Sequence, residues 1–289
     1  MEKEIERIDL EKYVRTGEGA CGESYDSLED SSMMLKLFFP EFPKESILSE
    51  LDVANRVYKL GVPSPKPGDL VKVGERLGIR FRKIAGKRSY ARMLADEPER
   101  VEELTREFAG YCKRLHSVKC PKGAFPDAKA YNYMLIENDR EFNDVQKQKI
   151  ADFVSSIPDA DTALHGDMHV GNLISTLPKG APLSTPHEVY FIDLGFFTQG
   201  YPLIDLGMLQ NICLTADEEF RFENFHIHKD MTEKVWEFFV DEYFESKMTV
   251  AEANELINPY QCLKLLLVEY SIGSLPPHYK EKIIRTFGF

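Results

Sequence analysis

Three polar side chains, spaced as phosphate chemistry needs them, stand in two short stretches of the chain. Leu164 to Ile174 reads L-H-G-D-M-H-V-G-N-L-I, and Tyr190 to Gly195 reads Y-F-I-D-L-G. Together they offer Asp167, Asn172 and Asp193: one carboxylate able to act as a base, and two side chains whose oxygens suit a hard divalent cation. An H-x-D-x-x-x-x-N loop followed by a strand-borne aspartate fits phosphoryl transfer, in which a protein orients a hydroxyl and holds magnesium against nucleotide phosphates. Order and spacing carry this reading, because H-x-D alone occurs in many turns.

His165 and His169 admit a rival, since H-x-D-x-H with a later aspartate could ligate zinc in a metallohydrolase. That reading leaves Gly17 to Gly22, Lys36, Glu50 and Asn172 without work, and no further histidine stands in a ligand motif. His165 is expected to hold the loop by hydrogen bonding and packing, and His169 to face substrate or solvent. Asp205 competes with Asp193 for the metal. It follows Pro202 and opens a helical stretch, where an N-terminal carboxylate has a sufficient structural reason, so the metal is assigned to Asp193.

The elements that must position these groups are readable upstream. Tyr13 to Ser24 contains Gly17, Gly19 and Gly22 as G-x-G-x-x-G. A dinucleotide-binding unit would need a helix straight after those glycines. Instead Glu23 to Leu28, a turn, and Ser32 to Phe39 read as a β-hairpin, which suits a glycine flap over phosphates. Lys36 lies inside that second strand, between Leu35 and Leu37. From Glu45 to Leu60, Ile47, Leu51, Ala54 and Tyr58 define a buried helical stripe. Glu50 borders that stripe and is the carboxylate expected to reach the strand lysine. Gly61 caps the helix, and strands Leu70–Val73 and Leu77–Phe81 follow, joined at Gly74-Glu75. Arg82 to Gly86 reads as the crossover to a second lobe.

Downstream, a helix is expected from Pro98 to near His116, with His116 packing or capping, and another from Asn143 to Ser155. Cys120 to Tyr133, rich in Pro, Gly and Ala, reads as loop, and Leu177 to His187 as a Pro-rich surface hairpin. Beyond Asp205 the chain reads as helical, with Phe220, Phe222, Phe225, Trp236, Phe239 and Leu263 to Val268 as core. Acidic residues from Asp217 to Glu245 interleave with them, as a solvated face or as the lining of a pocket for an amine-bearing molecule.

The 289 residues, 43% hydrophobic, can bury a sizeable core. A formal charge of −12 opposes broad phosphate-backbone binding, so nucleic acid is not expected as a partner. The first residues lack the apolar run of a signal peptide, no segment has the apolar length of a bilayer span, and the five cysteines show no C-x-x-C spacing. A cytoplasmic protein with reduced thiols is expected, away from membranes, of open oligomeric state.

With these pieces in order, the sequence resembles the aminoglycoside phosphotransferase and choline kinase group of the protein-kinase-like superfamily, over nearly its whole length. The specific part is H-G-D-x-x-x-x-N at His165 to Asn172, with I-D at Ile192-Asp193 and D-L-G at Asp205. Leu77 to Gly86 and Leu115-His116-Ser117 look like a bacterial subfamily of undefined substrate. The resemblance implies an α+β, two-lobed fold: an N-terminal lobe (1–84) of antiparallel sheet plus helix, a larger, mainly helical C-terminal lobe (85–289), and ATP between them. It implies Asp167 as catalytic base, Asn172 and Asp193 as Mg2+ ligands, Lys36 on the phosphates, Glu50 positioning Lys36, and Gly17, Gly19 and Gly22 covering the phosphates. The implied partner is a small-molecule hydroxyl acceptor, aminoglycoside-, choline- or sugar-like. A protein kinase would keep this core but needs a long activation segment, and Gly195 reaches Asp205 too soon for one. A non-catalytic nucleotide-binding scaffold would be expected to lose the lysine, base or metal ligand, and all are present.

Overall fold

The computed structural model describes residues 5–19 and 21–289. Residues 1–4, the start of the stretch read for a signal peptide, and Ala20, inside the glycine segment, lie outside the described residues.

In chain order the elements begin with β1 (Glu6–Arg7), β2 (Tyr13–Gly19), β3 (Gly22–Ser27), β4 (Met33–Phe38), α1 (Lys44–Leu60), β5 (Pro67–Val73) and β6 (Arg76–Arg82). There follow β7 (Arg88–Ser89), α2 (Tyr90–Asp96), α3 (Val101–Leu115), α4 (Ala128–Asn138), α5 (Asp144–Ser156), β8 (Thr162–Leu164), β9 (Leu173–Ser175), β10 (Val189–Phe191) and β11 (Thr198–Gly200). Five helices end the chain: α6 (Leu203–Gln210), α7 (Glu218–Phe225), α8 (Lys229–Tyr243), α9 (Val250–Ile272) and α10 (Pro277–Phe287).

The chain divides into two compact units, one comprising the residues up to Arg88 with Ile174–Gly195, the other Ser89–Leu173 with Phe196–Phe289. This differs from a single boundary after residue 84, because residues 174–195 return to the first unit. The return is held by the Phe191 N–H, which donates to Pro63 O at 2.8 Å, and by the Arg88 guanidinium, which donates to Leu177 O at 3.3 Å. Neither bond leaves a mark in local sequence pattern.

In the first unit the sheet order is β1-β5-β6-β4-β3-β2. It is mixed where an antiparallel sheet was expected, because β1 pairs parallel to β5. The short β1 occupies the free edge of β5, and the Ile8 N–H beyond it donates to Lys72 O at 2.9 Å. Alternation along β4 sends Leu35 and Leu37 into a cluster with Tyr25 and Val71, and Phe38 to the other face, against Ile47 of α1 and Ile79. Lys36 shares the Phe38 face, so its stem runs toward α1. Within α1 the buried stripe is Ile47, Val53, Ala54 and Val57, whereas Leu51 is half-buried and Tyr58 exposed. The expected stripe was thus rotated: both sets have helical spacing, and the sheet surface selects the set with the branched valines. Gly61, at φ = 85°, ends the helix in the left-handed conformation that glycine takes without steric cost.

The second unit is mainly helical. Asp127 accepts from the Ala130 N–H at 2.9 Å and caps α4, where a loop was expected from the Pro and Gly content upstream. Asn143 and Gln146 form a capping box on α5, as do Thr249 and Glu252 on α9. Helices α3 and α8 pack through Phe108 and Phe239, ring centroids 5.7 Å apart. Of the three phenylalanines on α7, only Phe225 is buried; Phe220 and Phe222, expected in the core, are 46% and 48% exposed. Helices α6 and α9 approach closely at Gly207. A Cβ on Gly207 would sit 2.5 Å from Tyr260 O, so only glycine lets the two backbones meet there.

Candidate active site

The first unit collects one set of the expected groups. Lys36 Nζ donates to Glu50 Oε1 at 2.7 Å and to Asp193 Oδ1 at 3.2 Å, and lies 5.1 Å from the centroid of the Phe38 ring. Burial alone would lower the proton affinity of Lys36; the carboxylates of Asp193 and Glu50 more than offset it and hold the ammonium well above its ordinary value. Asp193 adopts φ = 55°. That left-handed turn at the strand's end aims its carboxylate at Lys36, and a Cβ on Gly195 would come within 3.7 Å of Glu50 Oε2. Of the flap glycines, Gly22 is explained by packing, since a Cβ there would lie 2.3 Å from Leu37 O. A Cβ on Gly17 would meet nothing within 4 Å, so packing does not account for Gly17.

The second unit holds the H-G-D loop in a network of side chains. Asp205 is fully buried and accepts from the His165 N–H at 2.6 Å and the Gly166 N–H at 2.7 Å. His116 Nε2 donates to Asp205 Oδ2 at 3.1 Å, and the Tyr243 hydroxyl donates to His116 Nδ1 at 2.7 Å. This assignment of ring protons follows because an ionised carboxylate only accepts. Burial would push the Asp205 carboxyl up, but His116, Lys264 and His165 hold it below its ordinary value. Asp205 therefore braces the loop, a larger task than capping its own helix.

Gly166 takes φ = 85°, and a Cβ there would fall 1.8 Å from Phe196 O. Its carbonyl accepts from Lys264 Nζ at 2.5 Å. Next in line, the Asp167 N–H donates to His165 Nδ1 at 3.3 Å, and Asn172 Nδ2 donates to Asp167 O at 2.9 Å and to Asp167 Oδ2 at 3.2 Å. His169 Nε2 lies 3.5 Å from Asp167 Oδ2. Burial would raise the Asp167 carboxyl; its neighbours, His169 first, then His165 and Lys264, hold it far below the usual carboxylate range. Asp167 is thus an ionised acceptor beside an amide, able to take a hydrogen bond from a hydroxyl.

The donor set bears on what cation these residues could hold. His165 Nδ1 accepts from Asp167, and His169 Nδ1 accepts from the Gly171 N–H at 3.0 Å, so one nitrogen of each ring is committed within the loop. Among the described residues no cluster of three or more His, Cys, Asp or Glu side chains is placed to hold a metal. That argues against an all-protein zinc site. Magnesium in phosphoryl-transfer enzymes needs only one or two protein oxygens, the remainder coming from phosphates and water. With Asn172 Nδ2 turned to Asp167, Asn172 Oδ1 is the atom left for a cation, and Asp193 has a second carboxylate oxygen beyond the one facing Lys36.

Lys264 and His116 are the site groups that motif reasoning missed. His116 was read as packing or capping, and Lys264 was passed over within an apolar helical run.

Comparison with known proteins gives the family and the fold. The phosphotransferase enzyme family profile matches residues 19–234. The chain belongs to that family and is a small-molecule kinase, an enzyme that transfers a phosphoryl group to an alcohol. No curated protein matched significantly. Among solved structures, an aminoglycoside-3'-phosphotransferase of type VIII aligns at TM-score 0.56 and 15% identity, over 87% of this chain and 92% of that one. The streptomycin-ATP complex of APH(2'')-IIa aligns at 0.53 and 14%, over 96% and 91%. A protein named provisionally as a fructosamine-3-kinase, from Haemophilus somnus, aligns at 0.57 and 13%, over 96% and 94%. At these identities the likeness is one of fold, the α+β protein-kinase-like fold. Among the described residues no helix is long and apolar enough to cross a membrane.

Proposed function

We propose that this phosphotransferase uses ATP with magnesium to phosphorylate a hydroxyl of a small amine-bearing or sugar-like molecule. The observation that carries the reading is Lys36, an interior-strand ammonium held at 2.7 Å by Glu50 and at 3.2 Å by Asp193. A lysine fixed this way stays charged and is ready for nucleotide phosphates. Asn172 and Asp193 are the residues assigned to magnesium, which would neutralise charge developing on the transferred group. Asp167 accepts the hydrogen bond of the acceptor hydroxyl and orients it, then takes its proton as the new P–O bond forms and the bond from the γ-phosphorus to the bridging oxygen breaks, ADP leaving with that electron pair. Gly17 and Gly19, with Gly22 fixed by packing, are assigned to cover the phosphates, where a side chain would obstruct their approach.

The test is magnesium-dependent ADP release from ATP across pooled aminoglycosides, amino alcohols and sugars, with Asp167→Asn beside the wild type. One pool is expected to stimulate the wild type, and the variant to be slower by about 10²- to 10⁴-fold, the range for a lost general base. Silence in every pool while ATP still binds, or a variant as fast as the wild type, would overturn the reading.

A further inference from the structure

We infer that Lys264, on α9, is a positioning residue for the phosphoryl transfer: it fixes the peptide that presents Asp167. The inference rests on the reading of Asp167 as the hydroxyl-orienting base. Gly166 precedes that base and is gripped on both sides. Its N–H donates to Asp205 Oδ1 at 2.7 Å, and its carbonyl accepts from Lys264 Nζ at 2.5 Å. With the left-handed φ of 85° and Phe196 against its α-carbon, the peptide has one place to sit.

The two grips come from neighbouring helices. Asp205 stands two residues before Gly207 on α6, and Lys264 one helical turn beyond Tyr260 on α9, the residue whose carbonyl Gly207 touches. The tight crossing of α6 on α9 therefore sets the separation of the carboxylate and the ammonium that hold Gly166.

Burying an ammonium is costly, and Lys264 is 6% exposed among Leu263, Leu265 and Leu266. Among the described residues no carboxylate lies within ion-pair distance of it; burial lowers its proton affinity, and Asp205 and Asp167 oppose that through the field alone. An apolar residue of the same length would fill the site at lower cost. What only the lysine supplies is the donor to Gly166 O and a positive charge behind the loop.

The experiment compares Lys264→Met and Lys264→Gln with the wild type and with Asp167→Asn. Turnover and KM for ATP would be measured in the best acceptor pool or, without acceptor, as magnesium-dependent ATP hydrolysis; amide hydrogen exchange of peptides spanning 164–172 and 33–38 and the denaturation midpoint complete the set. Lys264→Met, which keeps the stem and removes donor and charge, should lower kcat about tenfold or more, as small displacements of reacting groups do. KM for ATP should stay within about twofold, the midpoint should fall only by the modest amount that one buried carbonyl without its donor costs, and exchange should quicken in 164–172 with 33–38 unchanged. Lys264→Gln, which keeps a donor, should fall between. A kcat equal to wild type in Lys264→Met, or wild-type exchange in 164–172, overturns the proposal. So does a kcat loss that only tracks a lost midpoint in both variants. Failure of the underlying reading shows differently, as an Asp167→Asn variant that keeps wild-type turnover.

Discussion

At the scale of single residues the site is decided by how few atoms hold the loop. Asp205 takes three donors, the N–H groups of His165 and Gly166 and the His116 ring, with no water-facing surface of its own. Asp205→Asn puts a second donor among donors and leaves a buried N–H unpaired, which should cost about 1–3 kcal/mol at pH 7 by chemical denaturation. The carboxyl of Asp205 is held below its ordinary value in the folded chain, so its contribution is present above the unfolded value of about 3.9 and disappears as pH falls through the folded one. The stability gap between wild type and variant should therefore narrow on acidification below about pH 4; a gap that stays constant down to pH 3 would show that the ionised form does no bracing. Residues of this kind were unevenly readable. Asp167, Asn172 and Asp193 announced themselves because their spacing is local. Lys264 lies 98 positions from the carbonyl it holds, and its one sign was a charge inside Leu263-Lys264-Leu265-Leu266-Leu267, where the helix has no polar side to receive it.

At the scale of elements, the crossing of α6 on α9 determines whether the braces reach the loop. Gly207→Ala would drive a methyl group to about 2.5 Å from Tyr260 O, against backbone that cannot swing aside. Forced separation of this kind costs about 1–3 kcal/mol, and here it would also draw Asp205 from Lys264. Turnover should accordingly fall further than the lost stability explains. Turnover restored by conditions that merely restore the folded fraction would refute that coupling. Strands and helices with strong periodicity were readable from sequence: the β3–β4 hairpin, α1, α3 and α5 all lie within a few residues of expectation. Helix α4 was missed because Pro121, Gly123 and Pro126 dominate the stretch before it, and the Asp127 cap went unread. The parallel β1 and the return of 174–195 were beyond local reasoning, since each depends on a partner far along the chain. The stripe of α1 was read in part, with Ile47 and Ala54 buried and Leu51 packed against the core but Tyr58 exposed, because helical spacing defines neighbouring stripes and only the sheet beneath selects one.

At the scale of the molecule, the residues assigned roles in the proposed reaction fall in different units. The first carries Lys36, Glu50 and Asp193; the second carries Asp167, Asn172, Asp205 and Lys264. If the first unit's ammonium grips phosphate and the second unit's carboxylate serves the acceptor, then binding and chemistry should separate by mutation. ATP with magnesium at about 100 times its Kd should stabilise the wild type by about 2.7 kcal/mol, since the folded state alone binds it. Asp167→Asn should keep that stabilisation while losing turnover, because the phosphate grip is untouched. Lys36→Met should lose most of the stabilisation, and Glu50→Gln part of it, since Glu50 acts by holding Lys36 at 2.7 Å. Differential scanning of the four proteins with and without nucleotide reads this directly. Stabilisation that survives in Lys36→Met would remove the lysine from the phosphate site. Stabilisation that vanishes in Asp167→Asn would mean that the loop contributes to nucleotide affinity as well, and the division of labour between the units would have to be redrawn.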